Sequence, residues 1–411
     1  MLPQLLQRID HEGLGYVYRE IELPVAIPTA VMLNTGLRVN QQVLRDIHSN
    51  QYSRMEVARR TLRRDAGSYF NPDDAQAVRR LLYNDLALPC PLETRHGNPA
   101  ISKAALARLS PLHPLVAQLQ TYRDAQSAYN SARAVLDALD PDTSIVRGNL
   151  DPLGTETGRF SCSDPPLQAL DRRVRRAIEA APGHVLLEAD FSQCELRVLA
   201  HFSGDAALLD AFAHNIDLHV RTAARVLGIA EDAVTDEQRR LGKTLNFSIV
   251  YGQTAYGLAE ELGVSMQQAE ALLAAHAAAY PRVTAWIAAV HQQTANMGEV
   301  RTLYGRRRYL PNIYTACDAL VAEARRQAVN TIVQGSAADL MKLALVRLHD
   351  ALPADVHMLL PVHDSILLSV PAARVEETQR IVVEAMEAVP AGFSVPLKVE
   401  IKPGRTWADC K

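Results

Sequence analysis

The stretch PVHDSILLSV, residues 361–370, constrains the fold more tightly than any other. It is an apolar run interrupted by a His and an Asp side by side. A carboxylate buried in such a run is costly unless it is paired or meets a cation. VHDS has no apolar continuation of its own, so the run reads as two strands joined by a tight hairpin with Asp364 at its tip. Met358, Leu360, Val362, Ile366, Leu368 and Val370 are all even-numbered, which predicts one shared apolar face.

A second acid ends another apolar strand. In HVLLEADFSQCELRVLAH, residues 184–201, Val185, Leu187 and Ala189 share one strand face, and Glu188 and Asp190 share the other. The residues after Asp190 take helical spacing. Two carboxylates at the ends of neighbouring strands can hold divalent cations between them. Mg²⁺ in particular accepts one or two carboxylates and takes its other ligands from water and phosphate. The plainer alternative is that each Asp caps a turn or a helix.

RRLGKTLNFSIVYG, residues 239–252, carries a further signal. Arg239, Lys243, Phe247 and Tyr251 recur every four residues, which on a helix confines them to one stripe about 120° wide. Two charges exclude a core stripe. The order cation, cation, aromatic, aromatic suits a ligand with a phosphate tail and a flat base. Gly242 costs such a helix about 1 kcal/mol relative to Ala, and close approach of a neighbour is one reason to keep it.

The 411 residues allow two or three domains or subdomains, and no run of about 20 apolar residues is present to span a membrane. Five scattered cysteines without a C-x-x-C pair argue against a disulfide framework or a zinc site and fit a reducing, cytoplasmic setting. The net charge of −3 speaks against non-specific nucleic-acid binding by the whole chain. Arg is nevertheless clustered in RRTLRR (59–64), DRRVRR (171–176) and RTLYGRRRYL (301–310). Those clusters read either as solvated helix faces or as a grip on a phosphate backbone. A long helix is expected from Pro114 to just before Pro141, on the seven-residue recurrence of Leu115, Tyr122, Tyr129 and Leu136. Residues 205–345 read as helical, and residues 354–402 as strands around one helix at 373–389. Segregated helices and strands make the fold class α+β.

Taken together, these stretches resemble the polymerase region of family A DNA polymerases, the bacterial DNA polymerase I type. DFSQCELRVLAH resembles the family's first carboxylate motif, RRLGKTLNFSIVYG its nucleotide-binding helix, and LPVHDSI its second carboxylate motif. GTETGRFSCSDPPLQ, DLHVRTA, RTLYGRRRYLP and NTIVQGSAADLMK match further segments in the same order. The resemblance implies a right-hand fold: an antiparallel palm sheet from 1–40, 141–204 and 346–411, a helical thumb at 41–140 and helical fingers at 205–345. It implies a template-directed DNA polymerase that adds dNTPs to a primer 3′-hydroxyl. The region would lack proofreading and 5′-nuclease domains; the DHE at 10–12 matches an exonuclease D-x-E only superficially.

Roles follow from the same resemblance. Asp190 and Asp364, with the Phe191 carbonyl, would bind two Mg²⁺ ions, with Mn²⁺ able to substitute. Arg239, Lys243 and His219 would hold the triphosphate, and Lys243 would protonate the leaving pyrophosphate. Phe247 would pack on sugar and base, Tyr251 would close the pocket beside the template base, Gln193 would line the nucleotide site, and Glu195 would exclude a 2′-hydroxyl. Arg159, Gln168, Arg326, Asn330, Gln334 and His363 would contact primer–template DNA. A monomer is expected, and a separate exonuclease or processivity partner has no sequence support.

Three departures stand out. Ser365 follows Asp364 where the family usually has an acid, Cys194 replaces a larger aliphatic, and the loop at 169–178 is short. They leave open a catalytically impaired DNA-binding protein on the same fold. Retention of Asp190, Asp364 and Lys243 weighs against it. Glu195 and Phe247 weigh against a single-subunit RNA polymerase. A phosphohydrolase built on the His–Asp dipeptide lacks further His ligands.

Overall fold

The computed structural model describes residues 2–91, 97–388, 390 and 392–410. Its centre is a four-stranded antiparallel sheet of β1 (His184–Phe191), β2 (His357–Val362), β3 (Ser365–Pro371) and β4 (Val399–Gly404), in the order β4-β1-β3-β2. Proline explains part of that order. Pro361 and Pro403 cannot donate to a ladder, and both lie on edge strands, β2 and β4. β3 is central, and all six residues from Ser365 to Val370 are buried. Register sets Asp190 opposite Ser365 on one side and Glu400 on the other.

The hairpin expected at VHDS is present: Val362 pairs with Ser365 across a two-residue turn of His363 and Asp364. The single shared even-numbered face is not. A two-residue turn pairs an even position with an odd one, so Val362 and Leu360 lie with Ser365 and Leu367. A bulge between Leu367 and Leu368 restores parity, and Met358 pairs with Leu368.

Helices surround the sheet. α1 (Leu23–Thr35) belongs to an N-terminal segment tied to the body by a buried ionic network. Lys342 Nζ donates to Glu22 Oε1 at 2.6 Å, Arg306 pairs with both Glu22 and Asp339, and Thr302 Oγ1 donates to Asp339 Oδ2 at 2.7 Å. α2 (Gln41–Ala66) and α3 (Pro114–Ala138) pack along one another around a separate core that includes Leu62, Leu82, Leu109, Leu119 and Tyr122. The predicted long helix is therefore present, with Pro114 at its first turn.

α4 (Cys194–Ser203) follows β1 through Gln193, which adopts a left-handed backbone at φ 55°. α5 (Leu218–Leu227) packs against α6 (Asp236–Val250), the helix of the cation–aromatic stripe. α6 starts at a capping box: Gln238 N donates to Thr235 Oγ1 at 3.3 Å and Thr235 N to Gln238 Oε1 at 2.8 Å. The boundary expected at 345 falls inside α7 (Asp318–Ala351), a 34-residue helix whose Val333, Leu340 and Leu345 join the main core. α8 (Val375–Glu387) is the helix expected at 373–389; position 389 lies outside the described residues.

The 301–310 arginines and part of the 171–176 cluster are used inside the molecule, whereas Arg60, Arg63 and Arg64 of the first cluster are exposed. Arg306 and Arg307 pair with Glu22, Asp339, Glu12 and Glu299, and Arg308 donates to Thr331. Arg173 binds Asp124 and Asp171, and Arg175 stacks on Trp407 at 4.1 Å. The 301–310 cluster thus reads as internal wiring. The DHE acids are structural too: Asp10 pairs with Arg19 and Glu12 with Arg307.

Candidate active site

The two acids singled out in the sequence meet at one end of the sheet. Asp190 closes β1, and Asp364 sits in the β2–β3 turn. The two segments are joined by Phe191 N donating to Asp364 O at 3.0 Å. His363, ahead of it, has φ 56°, a conformation that the first position of such a turn usually gives to Gly. Left-handed backbone at both Gln193 and His363 concentrates strain at this end of the sheet.

α6 faces these acids across a cavity of about 300 Å³, lined by Asp190, Asp364 and Glu400 on one side and His219, Arg239 and Lys243 on the other. Phe191, Gln193, Glu195 and Phe247 complete its wall. Lys243 is exposed and, among the described residues, makes no ion pair. Arg239 Nε donates to Asp217 Oδ2 at 2.7 Å. Asp217 also caps α5, its Oδ1 accepting from His219 N at 2.9 Å.

His219 is oriented from below. Asn246 Nδ2 donates to His219 Nδ1 at 3.1 Å, and Asn246 Oδ1 accepts from Thr222 Oγ1 at 2.9 Å. Nδ1 is thus an acceptor, so the proton of the neutral ring sits on Nε2. Burial, with Arg239 and Lys243 adding to it, pushes the His219 pKa down to about 4 and keeps the ring neutral.

Glu195 is buried and doubly held. Arg159 Nη2 donates to Glu195 Oε1 at 2.5 Å, and Tyr251 Oη donates to Oε2 at 3.0 Å. The same Arg159 nitrogen lies 3.3 Å from Asp364 Oδ1. Phe247 and Tyr251 stack with ring centroids 6.1 Å apart. Tyr251 and Arg326 line a neighbouring cavity of about 830 Å³. Gln168 Nε2 donates to Pro361 O at 2.8 Å, behind the hairpin. Asn330 and Gln334 lie on α7, and Asn330 Oδ1 is enclosed without a partner, as is Gln193 Oε1.

The sheet brings together more acids than the sequence reading assigned. Glu188, Asp190, Asp364 and Glu400 line one cavity of about 480 Å³ with Lys402 and Arg175. Partial desolvation, followed by the charges of Asp364, Glu188 and Glu400, raises the Asp190 pKa, although the residue is exposed at the strand end. Asp190 retains solvent contact, so the crowding of like charges is the part a bound cation would relieve. Among the described residues no three metal-ligating side chains close on one point. Glu400, Asp217 and Asn246 were missed. Only Asp217 carried a local signal, as an Asp two residues before His219 at a helix start.

The family model for DNA polymerase family A matches residues 41–409. The thermostable DNA polymerase I of Thermus filiformis is 37% identical over 421 residues, covering 100% of this chain and 50% of that protein. DNA polymerase I of Pseudomonas aeruginosa is 36% identical, covering 96% of this chain and 44% of that protein. The POL domain of Pol1 from M. smegmatis, in complex with DNA primer-template and dNTP, superposes with a TM-score of 0.91 at 30% identity, covering 98% of this chain and 73% of that one. The chain spans about half the length of the curated relatives it matches.

Proposed function

The chain belongs to DNA polymerase family A, and on that premise we propose that it adds deoxynucleotides to a primer 3′-hydroxyl opposite a DNA template. One observation carries the reading: a histidine and two cations on helices face the carboxylates of Asp190, Asp364 and Glu400 at the end of a sheet across a single cavity. That charge arrangement suits a triphosphate gripped from one side and divalent cations held from the other.

Family A polymerases generally use divalent metal ions. Here Asp190 and Asp364, with the Phe191 carbonyl, would hold two Mg²⁺ ions, and Mn²⁺ would substitute. When bound, the ions favour ionisation of the primer hydroxyl and neutralise the triphosphate.

The protein's own part is positioning. Arg239 exchanges Asp217 for a phosphate oxygen, and His219 donates Nε2–H to another. Gln193 lines the site, Phe247 packs against sugar and base, and Tyr251 closes the pocket. Glu195 leaves no room for a 2′-hydroxyl. The primer 3′-oxygen bonds to the α-phosphorus, and the bond from that phosphorus to pyrophosphate breaks. Lys243 gives the leaving pyrophosphate a proton, and the hydroxyl proton passes to water. Arg159, Gln168, Arg326, Asn330, Gln334 and His363 hold the primer–template.

In this reading the chain acts as a monomer, with residues 41–140 as thumb, 205–345 as fingers and the remainder as palm. The separate core beneath α2 and α3 supports the thumb assignment. The test is complex formation on a dideoxy-terminated primer. The dNTP matching the template base should slow dissociation of the protein from DNA, and the other three should not. Equal effects of all four would contradict template direction.

A further inference from the structure

Glu188 has no role in the chemistry above, yet the sheet aims it at the same cavity. It shares a face of β1 with Asp190, opposite Leu367 and Lys402. Ser365, opposite Asp190, is its diagonal neighbour across the strand pair, and Ser365 Oγ lies 3.3 Å from Glu188 Oε1. The same hydroxyl lies 3.0 Å from Val362 O, so one hydrogen serves both acceptors.

Glu188 Oε2 is enclosed and has no hydrogen-bond partner. Among the described residues no salt bridge reaches Glu188, but it feels the charge of Arg175 and stands opposite Lys402, so the protein balances its charge in part while Oε2 stays unpartnered. A carboxylate oxygen held dry without a partner is costly unless a cation approaches. The register makes the two positions equivalent in effect: a carboxylate at 365 or at 188 projects from the same sheet face toward the Asp190–Asp364 end.

We propose that Glu188, whose unpartnered carboxylate oxygen lines the same cavity as Asp190 and Asp364, acts as a positioning residue that strengthens divalent-cation binding at those two acids. The small serine leaves room for the Glu188 side chain and orients it through Oγ. The inference rests on the polymerase reading of this site.

Mn²⁺ binding, followed by electron paramagnetic resonance, tests it on the full chain with dideoxy-terminated primer–template and matching dNTP. Glu188→Gln should weaken Mn²⁺ about tenfold and raise the Mg²⁺ concentration for half-maximal primer extension similarly. The maximal rate at saturating Mg²⁺ should change less. Adding Ser365→Glu to Glu188→Gln should restore both.

Lys402→Gln separates this from simple neutralisation of Lys402. On our account it tightens Mn²⁺ in the otherwise native chain and leaves the half-maximal Mg²⁺ of the Glu188→Gln background well above native. Full recovery of that background by Lys402→Gln would overturn the proposal, as would native Mn²⁺ binding by Glu188→Gln. Should Glu188→Gln fail to fold, the double variant with Ser365→Glu decides: native-like Mn²⁺ binding supports the assignment and weak binding removes it. Native protein that extends primers while Glu188→Gln behaves identically removes Glu188 alone. Native protein that cannot extend primers removes the wider reading.

Discussion

Gly242 lies against the carbonyl oxygen of His219. A β-carbon there would collide with that oxygen and stand 3.0 Å from Ala223 N. The glycine that weakens α6 is therefore what lets α6 and α5 approach, and that approach sets His219 and Lys243 on one wall of the cavity. Propensity alone says Gly242→Ala gains about 1 kcal/mol. Overpacking predicts the opposite, a loss of about 1–3 kcal/mol. Urea unfolding decides the sign, and KM for dNTP should rise as His219 is displaced.

Glu195 is held from both sides by Arg159 and Tyr251, which leaves its carboxylate little freedom. If it excludes a 2′-hydroxyl, Glu195→Ala should reduce discrimination against ribonucleotides by about tenfold or more, roughly 1.4 kcal/mol. The measurement is kcat/KM for a dNTP against its rNTP. Unchanged discrimination would remove the gate role.

Acid should weaken this region. His219 and His276 both meet Asn246, and burial pushes each pKa down to about 4. In the unfolded chain both titrate near about 6.5, so between these values the unfolded state binds more protons. Their contribution is fully present above about pH 6.5 and is lost as pH falls toward about 4. For His276, buried at 4% exposure, this amounts to about 3 kcal/mol. His276→Gln should flatten that part of the stability–pH curve, measured by urea unfolding between pH 7 and 4.5.

Phe247 stacks with Tyr251 and faces His219 at 6.0 Å between ring centroids. If it lies beside the incoming sugar, Phe247→Tyr should ease dideoxynucleotide incorporation, because its hydroxyl can replace a missing 3′-hydroxyl contact. The ratio of ddNTP to dNTP incorporation is the readout, and no change would move Phe247 away from the sugar.

Much of this site was legible because its signals are local. An acid at a strand end, a turn without apolar continuation and a four-residue stripe all lie within short windows. What escaped depends on partners far apart in sequence. The even-numbered face of β2 failed because a two-residue turn inverts parity and a bulge inverts it again. The arginines at 306–308 read either as a solvated face or as a phosphate grip, and neither reading could see Glu22 and Glu12, which pair with two of them and lie near the other end of the chain. Glu400 reaches Asp190 only through strand pairing, and Asn246 reaches His219 only through helix packing. Close approach was one reason the sequence offered for Gly242, and only the packing of α5 against α6 identifies it as the reason and His219 as the partner.

Extension of a labelled primer on a DNA template, with Mg²⁺ and dNTPs, tests the central claim most directly. Asp190→Ala and Asp364→Ala would run beside the native chain. The account predicts template-dictated extension by the native protein and loss of about a hundred- to a thousandfold in rate in each variant, on the scale of removing a main electrostatic contributor. Primer–template binding without extension in either Mg²⁺ or Mn²⁺, or extension that survives both substitutions, would contradict it.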